Sequence, residues 1–168
     1  MPFSLLPYGR GVKEWLGLAA RLLTGGVWVV AGAAKLSDPY ASVLAVRAYE
    51  LLPGSVAEPV GYLLPPLEVV VGVALVAGLL TRGAAAVSGL IFLAFIIGLA
   101  SVWARGMEID CGCFGGGGYN PDATSDYPWE IARDAALLLA SAFLVWLPRT
   151  RLALDNLLFR RTAPTEGS

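Results

Sequence analysis

At 168 residues, 57% of them hydrophobic and only 15% charged, the chain has a mean hydropathy of +0.67 and too little polar surface to face water all round. A net charge of -1 without a Lys/Arg run gives no electrostatic footprint for nucleic acid. The absence of histidine removes His-ligated metals and haem and every Cys-His or Ser-His nucleophile, while two cysteines complete neither a disulfide-dense scaffold nor a zinc site.

The first apolar stretch, residues 15–34, lies between Glu14 and Lys35 and is interrupted only by Arg21. About twenty residues at 1.5 Å each cross the ~30 Å of hydrocarbon in a bilayer. Ala31-Gly32-Ala33 resembles a signal-peptide cleavage site, but the length and Arg21 favour a retained span. Leu18, Gly25 and Gly32 repeat at seven and hint at a packing seam. Residues 39–52 follow, with Ser37 or Asp38 to cap a helix, Pro39 at its first position and Pro53 to end it. Tyr40, Val43, Leu44, Ala48 and Leu51 share a face, and the segment is too short to span, which predicts an amphipathic helix on the outer surface.

Two more spans are expected at 60–80, with the single charge Glu68, and at 84–104, with none. Ala74-xxx-Gly78, Ala85-xxx-Gly89 and Ala94-xxx-Gly98 have the small-residue spacing of close helix contacts. An outer loop, 105–128, holds both cysteines and the run Gly115 to Gly118, which reads as mobile. The last span, 129–147, crowds Glu130, Arg133 and Asp134 into its first turns, and a tail covers 149–168. The pattern predicts an all-α, single-domain, four-helix membrane bundle. Trp15 and Trp146 would mark one interface, Trp103 and Trp129 the other. Seven basic residues (Arg10, Lys13, Arg82, Arg149, Arg151, Arg160, Arg161) fall on one side, against Lys35, Arg47, Arg105 and the borderline Arg133 on the other. Both termini are therefore expected in the cytoplasm and the cysteine loop outside it.

Cys111-Gly112-Cys113 carries the clearest chemistry. Bridging residues two apart needs a turned backbone, which Gly112 permits, and the strained ring that results favours an exchangeable bond. A structural staple across so short a loop restricts little chain entropy. The alternatives are a stapled turn, an inert pair or half of an intersubunit metal site. Asp110 and Glu108 disfavour a thiolate here, whereas Arg105, Lys35 and Arg133 favour it if folded close. Phe114, Tyr119, Tyr127 and Trp129 would shield the pair or form an interfacial belt. In hydrocarbon, Arg21 and Glu68 are expected to pair across the first two spans, and Glu130 and Asp134, one turn apart, to face Lys35.

The segments Arg21 through Leu36 (RLLTGGVWVVAGAAKL), Asp38-Pro39, Leu64-Pro65-Pro66-Leu67-Glu68 with Gly72, Ile109-Asp110-Cys111-Gly112-Cys113-Phe114-Gly115 and Arg133-Asp134 together resemble the methylamine utilisation protein MauE family, within the broader DoxX-like membrane proteins. The resemblance runs from about Trp15 to Pro148. It implies a bacterial plasma-membrane protein that assists disulfide formation in exported proteins through Cys111 and Cys113, beside an extracytoplasmic thioredoxin-fold partner. DoxX-like relatives include quinone-linked proteins, so a quinone is allowed by the resemblance. Other membrane disulfide generators use two cysteine pairs and this chain has one, which keeps a second reading open: a non-catalytic membrane scaffold or accessory subunit.

Overall fold

The computed structural model describes residues 8–113, 115–146 and 153–154. Five helices dominate: α1 (Tyr8–Leu36), α2 (Pro39–Ala48), α3 (Gly54–Ala77), α4 (Thr81–Ala104) and α5 (Ala123–Trp146). Between α4 and α5 two short antiparallel strands, β1 (Ile109–Asp110) and β2 (Gly118–Tyr119), pair Ile109 with Tyr119 and Asp110 with Gly118. Three segments, Gly11–Leu36, Gly54–Ala77 and Thr81–Ala104, are long and apolar enough to cross a membrane. α5 is as long as α3 and α4, at 24 residues, and carries Glu130, Arg133 and Asp134 near its start. The tail at 149–168 lies almost wholly outside the described residues, as does Phe114.

α1 and α3 run antiparallel in direct backbone contact. A Cβ added to Gly25 would lie 2.8 Å from the Gly72 carbonyl oxygen, one on Gly72 would lie 2.8 Å from that of Gly25, and one on Gly32 would lie 2.8 Å from that of Pro65. The seven-residue repeat in the first span is thus the seam. In lipid, where apolar side chains gain little by leaving one apolar medium for another, such close packing holds helices together. The other small-residue spacings differ among themselves: a Cβ on Gly98 would lie 3.2 Å from the Tyr49 ring. Gly89 meets Leu138 and Ser141 only at ordinary contact distance, and Gly78 is not in a helix interior. It ends α3 in the left-handed conformation, φ 70°, with Leu79 N–H bonded to the Ala74 carbonyl at 2.9 Å.

α2 begins as its sequence suggests, with Asp38 accepting from Ala41 N–H at 3.0 Å and Pro39 at the first helical position. It stops at Ala48, earlier than the Pro53 stop signal. Val43 is pressed onto α3 so tightly that a Cβ on Gly61 would lie 2.5 Å from the Val43 Cα. Of the expected apolar face only Val43 is buried, while Tyr40, Leu44 and Leu51 are exposed.

The core centres on Trp28 of α1, which stacks on Phe92 (centroids 4.3 Å apart) and Phe95 (6.1 Å) of α4. Its indole N–H donates to Ser88 at 2.7 Å, and Ser88 shares a 2.9 Å hydrogen bond with Ser141 of α5. One buried polar chain therefore ties α1, α4 and α5, satisfying the indole where an unpaired donor would be costly. The outward faces are apolar, with Leu23, Leu63, Val70, Leu90 and Leu139 all largely exposed, a surface suited to lipid.

The seam yields a direct test. Gly72→Leu should lower the melting temperature of the detergent-solubilised protein markedly, at an overpacking cost of about 1–3 kcal/mol or more. Gly26→Leu, at a position where an added Cβ meets nothing within 4 Å, should leave it near the parent value.

Candidate functional site

The cysteines lie on a hairpin that follows α4. Gly106, at φ 66°, turns the chain out of the helix, and β1 pairs with β2 so that residues 111–117 form the connecting loop. Two tyrosines hold this loop by its backbone. Tyr127 of α5 is fully buried; its hydroxyl accepts from Ile109 N–H at 3.0 Å and has the carbonyls of Met107 and Ile109 each at 2.8 Å as acceptors. Tyr49, just past α2, donates to the Cys111 carbonyl at 2.9 Å, and Arg105 donates to the Tyr49 carbonyl at 2.5 Å.

Glycine lets the loop close on α2. Gly112 has φ 66° and a Cβ there would lie 2.6 Å from Ala45 Cβ, while one on Gly117 (φ 146°) would lie 2.7 Å from the same atom. Within the run Gly115 to Gly118 it is Gly117 whose backbone conformation brings the chain onto Ala45, while an added Cβ on Gly118 would meet nothing within 4 Å. Asp110 Oδ1 accepts from Gly112 N–H at 3.1 Å and steadies the turn between the cysteines.

Both cysteines are free thiols. Cys111 is partly exposed, and its Sγ donates to Glu130 Oε1 at 3.0 Å. Cys113 is buried, 8% exposed, and its backbone N–H points at Cys111 Sγ from 3.3 Å. The adjoining Cys113 side chain, then burial, then the bond to Glu130, push the Cys111 thiol well above its ordinary value. Burial, followed by the same cysteines and Glu130, pushes Tyr49 up as well. Cys111 therefore rests protonated at neutral pH. Among the described residues there is no group of three or more His, Cys, Asp or Glu able to hold a metal.

The charged residues sort differently from the sequence expectation. Lys35 Nζ of α1 bonds to Glu68 Oε1 of α3 at 2.6 Å, both side chains almost fully buried, and Nζ sits 5.2 Å from the Phe95 ring centroid. Arg133 pairs with its neighbour Asp134 at 2.9 Å, with Lys35 in electrostatic reach of Asp134 and both cysteines in reach of Arg133. Arg21 does not pair with Glu68. It is buried at the far end of α3, its Nη1 2.5 Å from where a Cβ on Gly78 would stand. That is ten residues beyond Glu68, or about 15 Å along a helix.

The reason is the lean of helical side chains toward their own N-terminus. In antiparallel α1 and α3, this sends Lys35 and Glu68 toward each other and sends Arg21 and Glu68 apart. Lys35 thus closes on Glu68 and not on Glu130, which turns to Cys111. The structure gathers Cys111, Gly112, Cys113, Asp110, Arg133 and Asp134 at one end of the helices, with Lys35–Glu68 within the α1–α3 contact. Sequence reasoning named Tyr127 as a shield or a member of an interfacial belt and missed Tyr49 altogether. No periodicity marks Tyr49; it matters because α2 docks beside the hairpin.

Long apolar helices with lipid-type outer faces define a helical membrane protein, with a thiol pair presented at one end. The chain belongs to the methylamine utilisation protein MauE family, whose model matches residues 13–147. No curated protein and no solved structure gives a significant match.

Two measurements check the site's supports. Lys35→Met should destabilise the protein by about 3–5 kcal/mol by stranding a buried carboxylate, and Lys35→Met with Glu68→Leu should recover much of that, whereas Arg21→Leu and Glu68→Gln should combine additively. Tyr127→Phe should free the hairpin, seen as faster maleimide labelling of Cys113 in the folded protein, because the Ile109 N–H loses its acceptor.

Proposed function

We propose that this protein is a membrane thiol–disulfide exchange protein that assists disulfide formation in exported proteins together with an extracytoplasmic thioredoxin-fold partner. One observation carries the reading: a partly exposed Cys111 beside a buried Cys113, joined by one glycine, with the Cys113 backbone N–H on Cys111 Sγ at 3.3 Å. The arrangement supports a division of labour in which Cys111 exchanges with the partner and Cys113, out of a partner's reach, resolves the mixed disulfide. The scaffold alternative is less well supported. Tyr127 and Tyr49 hold the hairpin through backbone groups, so a staple across one residue would add little.

The reading includes four spans, with α5 as the fourth, both termini in the cytoplasm and the hairpin outside. α2 lies along the outer surface with Tyr40 and Leu44 toward lipid, and Leu51 follows just beyond it. Methylamine utilisation gives the family its description; thiol exchange, and not a particular substrate, is what is carried over.

Trapping in cells tests the exchange. Cys113→Ser should accumulate a dithiothreitol-sensitive mixed disulfide between Cys111 and an exported thioredoxin-like protein, and Cys111→Ser should not. Failure of both single variants to trap a partner, with normal disulfide formation in exported proteins when both cysteines are replaced, would leave the scaffold reading standing. The orientation is tested separately in the Cys111→Ser/Cys113→Ser background. Tyr119→Cys should react with membrane-impermeant maleimide in intact cells, and Arg82→Cys should react only after lysis; the opposite pattern inverts the topology.

A further inference from the structure

A thiol attacks a disulfide only as its thiolate. Cys111 is therefore poorly prepared, since burial and its hydrogen-bond partners favour the protonated form. The proton must pass to a group in contact with Sγ, and the chain has no histidine to take it. The neighbours of the turn are already engaged. Tyr49 Oη donates to the Cys111 carbonyl, and Asp110 Oδ1 accepts from Gly112 N–H. Glu130 Oε1 is the carboxylate oxygen 3.0 Å from Cys111 Sγ, in line to receive its proton. On the same sulfur, the Cys113 backbone N–H at 3.3 Å faces the charge that forms when the proton leaves.

From this geometry we infer that Glu130 is the general base and acid of the cysteine pair, accepting the Cys111 proton as the sulfur attacks and returning it when the sulfur leaves. The inference rests on the exchange reading above and adds the residue that moves the proton. With a disulfide as co-reactant, the Cys111 S–H proton passes to Glu130 and Cys111 sulfur bonds to one sulfur of that disulfide. The other sulfur departs as a thiolate with the bonding pair. Cys113 then attacks the Cys111 sulfur, forming the Cys111–Cys113 bond and expelling the second sulfur. The two protons end on the two expelled sulfurs; the co-reactant is reduced by two electrons and the cysteine pair oxidised by two. In the reverse direction, which oxidises a partner's dithiol, Cys111 is the final leaving group and takes its proton from Glu130.

The titratable groups facing Cys111 and Glu130 are Tyr49 beyond α2, Cys113 on the same loop, and Tyr127, Arg133 and Asp134 on α5, with Lys35 of α1 behind Asp134; Arg105 after α4 is turned to the Tyr49 carbonyl. Burial raises both tyrosines, so neither changes charge across the neutral range. A carboxylate can influence the thiol in two opposite ways. As a mere neighbour it repels the thiolate, and its removal speeds reaction at every pH. As a base it takes the proton directly from the sulfur, so the rate no longer follows ionisation of the thiol to solvent and is nearly flat through neutrality.

The experiment uses the full-length Cys113→Ser protein in detergent and follows reaction of Cys111 with a small aromatic disulfide between about pH 6 and pH 8. The expected rate changes less than about threefold across that range in Cys113→Ser, and likewise when Glu130→Asp is added. With Glu130→Gln it should fall at least about tenfold at the acid end and rise about tenfold per pH unit, as bare thiol ionisation demands. A tenfold-per-unit slope in Cys113→Ser itself overturns the proposal, whatever the Gln variant does. So does a Glu130→Gln protein that reacts as fast or faster at the acid end. Because the reagent is a small molecule, these outcomes are independent of whether an exported partner is trapped in cells.

Discussion

Two helix backbones touching at Gly25 and Gly72 set the spacing of the whole molecule. With no side chain between them, α1 and α3 approach so closely that an added methyl on either glycine would meet the other's carbonyl oxygen. That approach gives the seven-residue glycine repeat its meaning, and it determines which charges can meet. Lys35 and Glu68 come within 2.6 Å because the helices are antiparallel, closely packed, and present side chains that lean toward one another. A wider crossing would leave an ammonium and a carboxylate separately buried, each at a cost of several kcal/mol. α3 in turn receives α2 at Gly61, and α2 offers Ala45 as the floor on which the cysteine hairpin rests. The thiol site is thus several contacts removed from the glycine seam and still depends on it.

Much of this was legible in the sequence because hydropathy and charge spacing act locally. The three longest apolar helices follow from the intervals between charged residues, and α2 follows from Asp38 and Pro39. What failed was what needs the third dimension. Expecting Arg21 and Glu68 to pair because both lie in hydrocarbon ignores which way each side chain points, and that direction excludes their pairing. Ala74 and Gly78 have the spacing of a packing motif, yet Gly78 terminates the helix. The glycine run after the cysteines suggests freedom, and in the fold one of its members, Gly117, allows close contact with Ala45. Glu130 was visible as a charge but not as a partner of Cys111, since that depends on α5 beginning at Ala123, before Pro128.

The distribution of polar chemistry has a simple logic. Within the apolar helices, polar atoms are few and mostly internally partnered: Trp28 with Ser88, Ser88 with Ser141, Lys35 with Glu68. At the hairpin end they multiply, and several are aimed at one sulfur. A protein with one cysteine pair and no histidine has few ways to control proton movement. A carboxylate at 3.0 Å from the exposed thiol is among the simplest.

The hairpin is fastened by hydroxyl groups acting on Met107, Ile109 and Cys111 main-chain atoms, and none of those bonds involves a sulfur. Oxidation of the pair would consume only side-chain atoms and leave the fastening untouched. The shape offered to an incoming protein would then be nearly the same before and after electron transfer. Under the exchange reading proposed above, such a surface would have no built-in preference for releasing a spent partner over a fresh one. Turnover would be set by relative abundance of the two forms, and direction by the redox balance of the compartment and not by conformational gating.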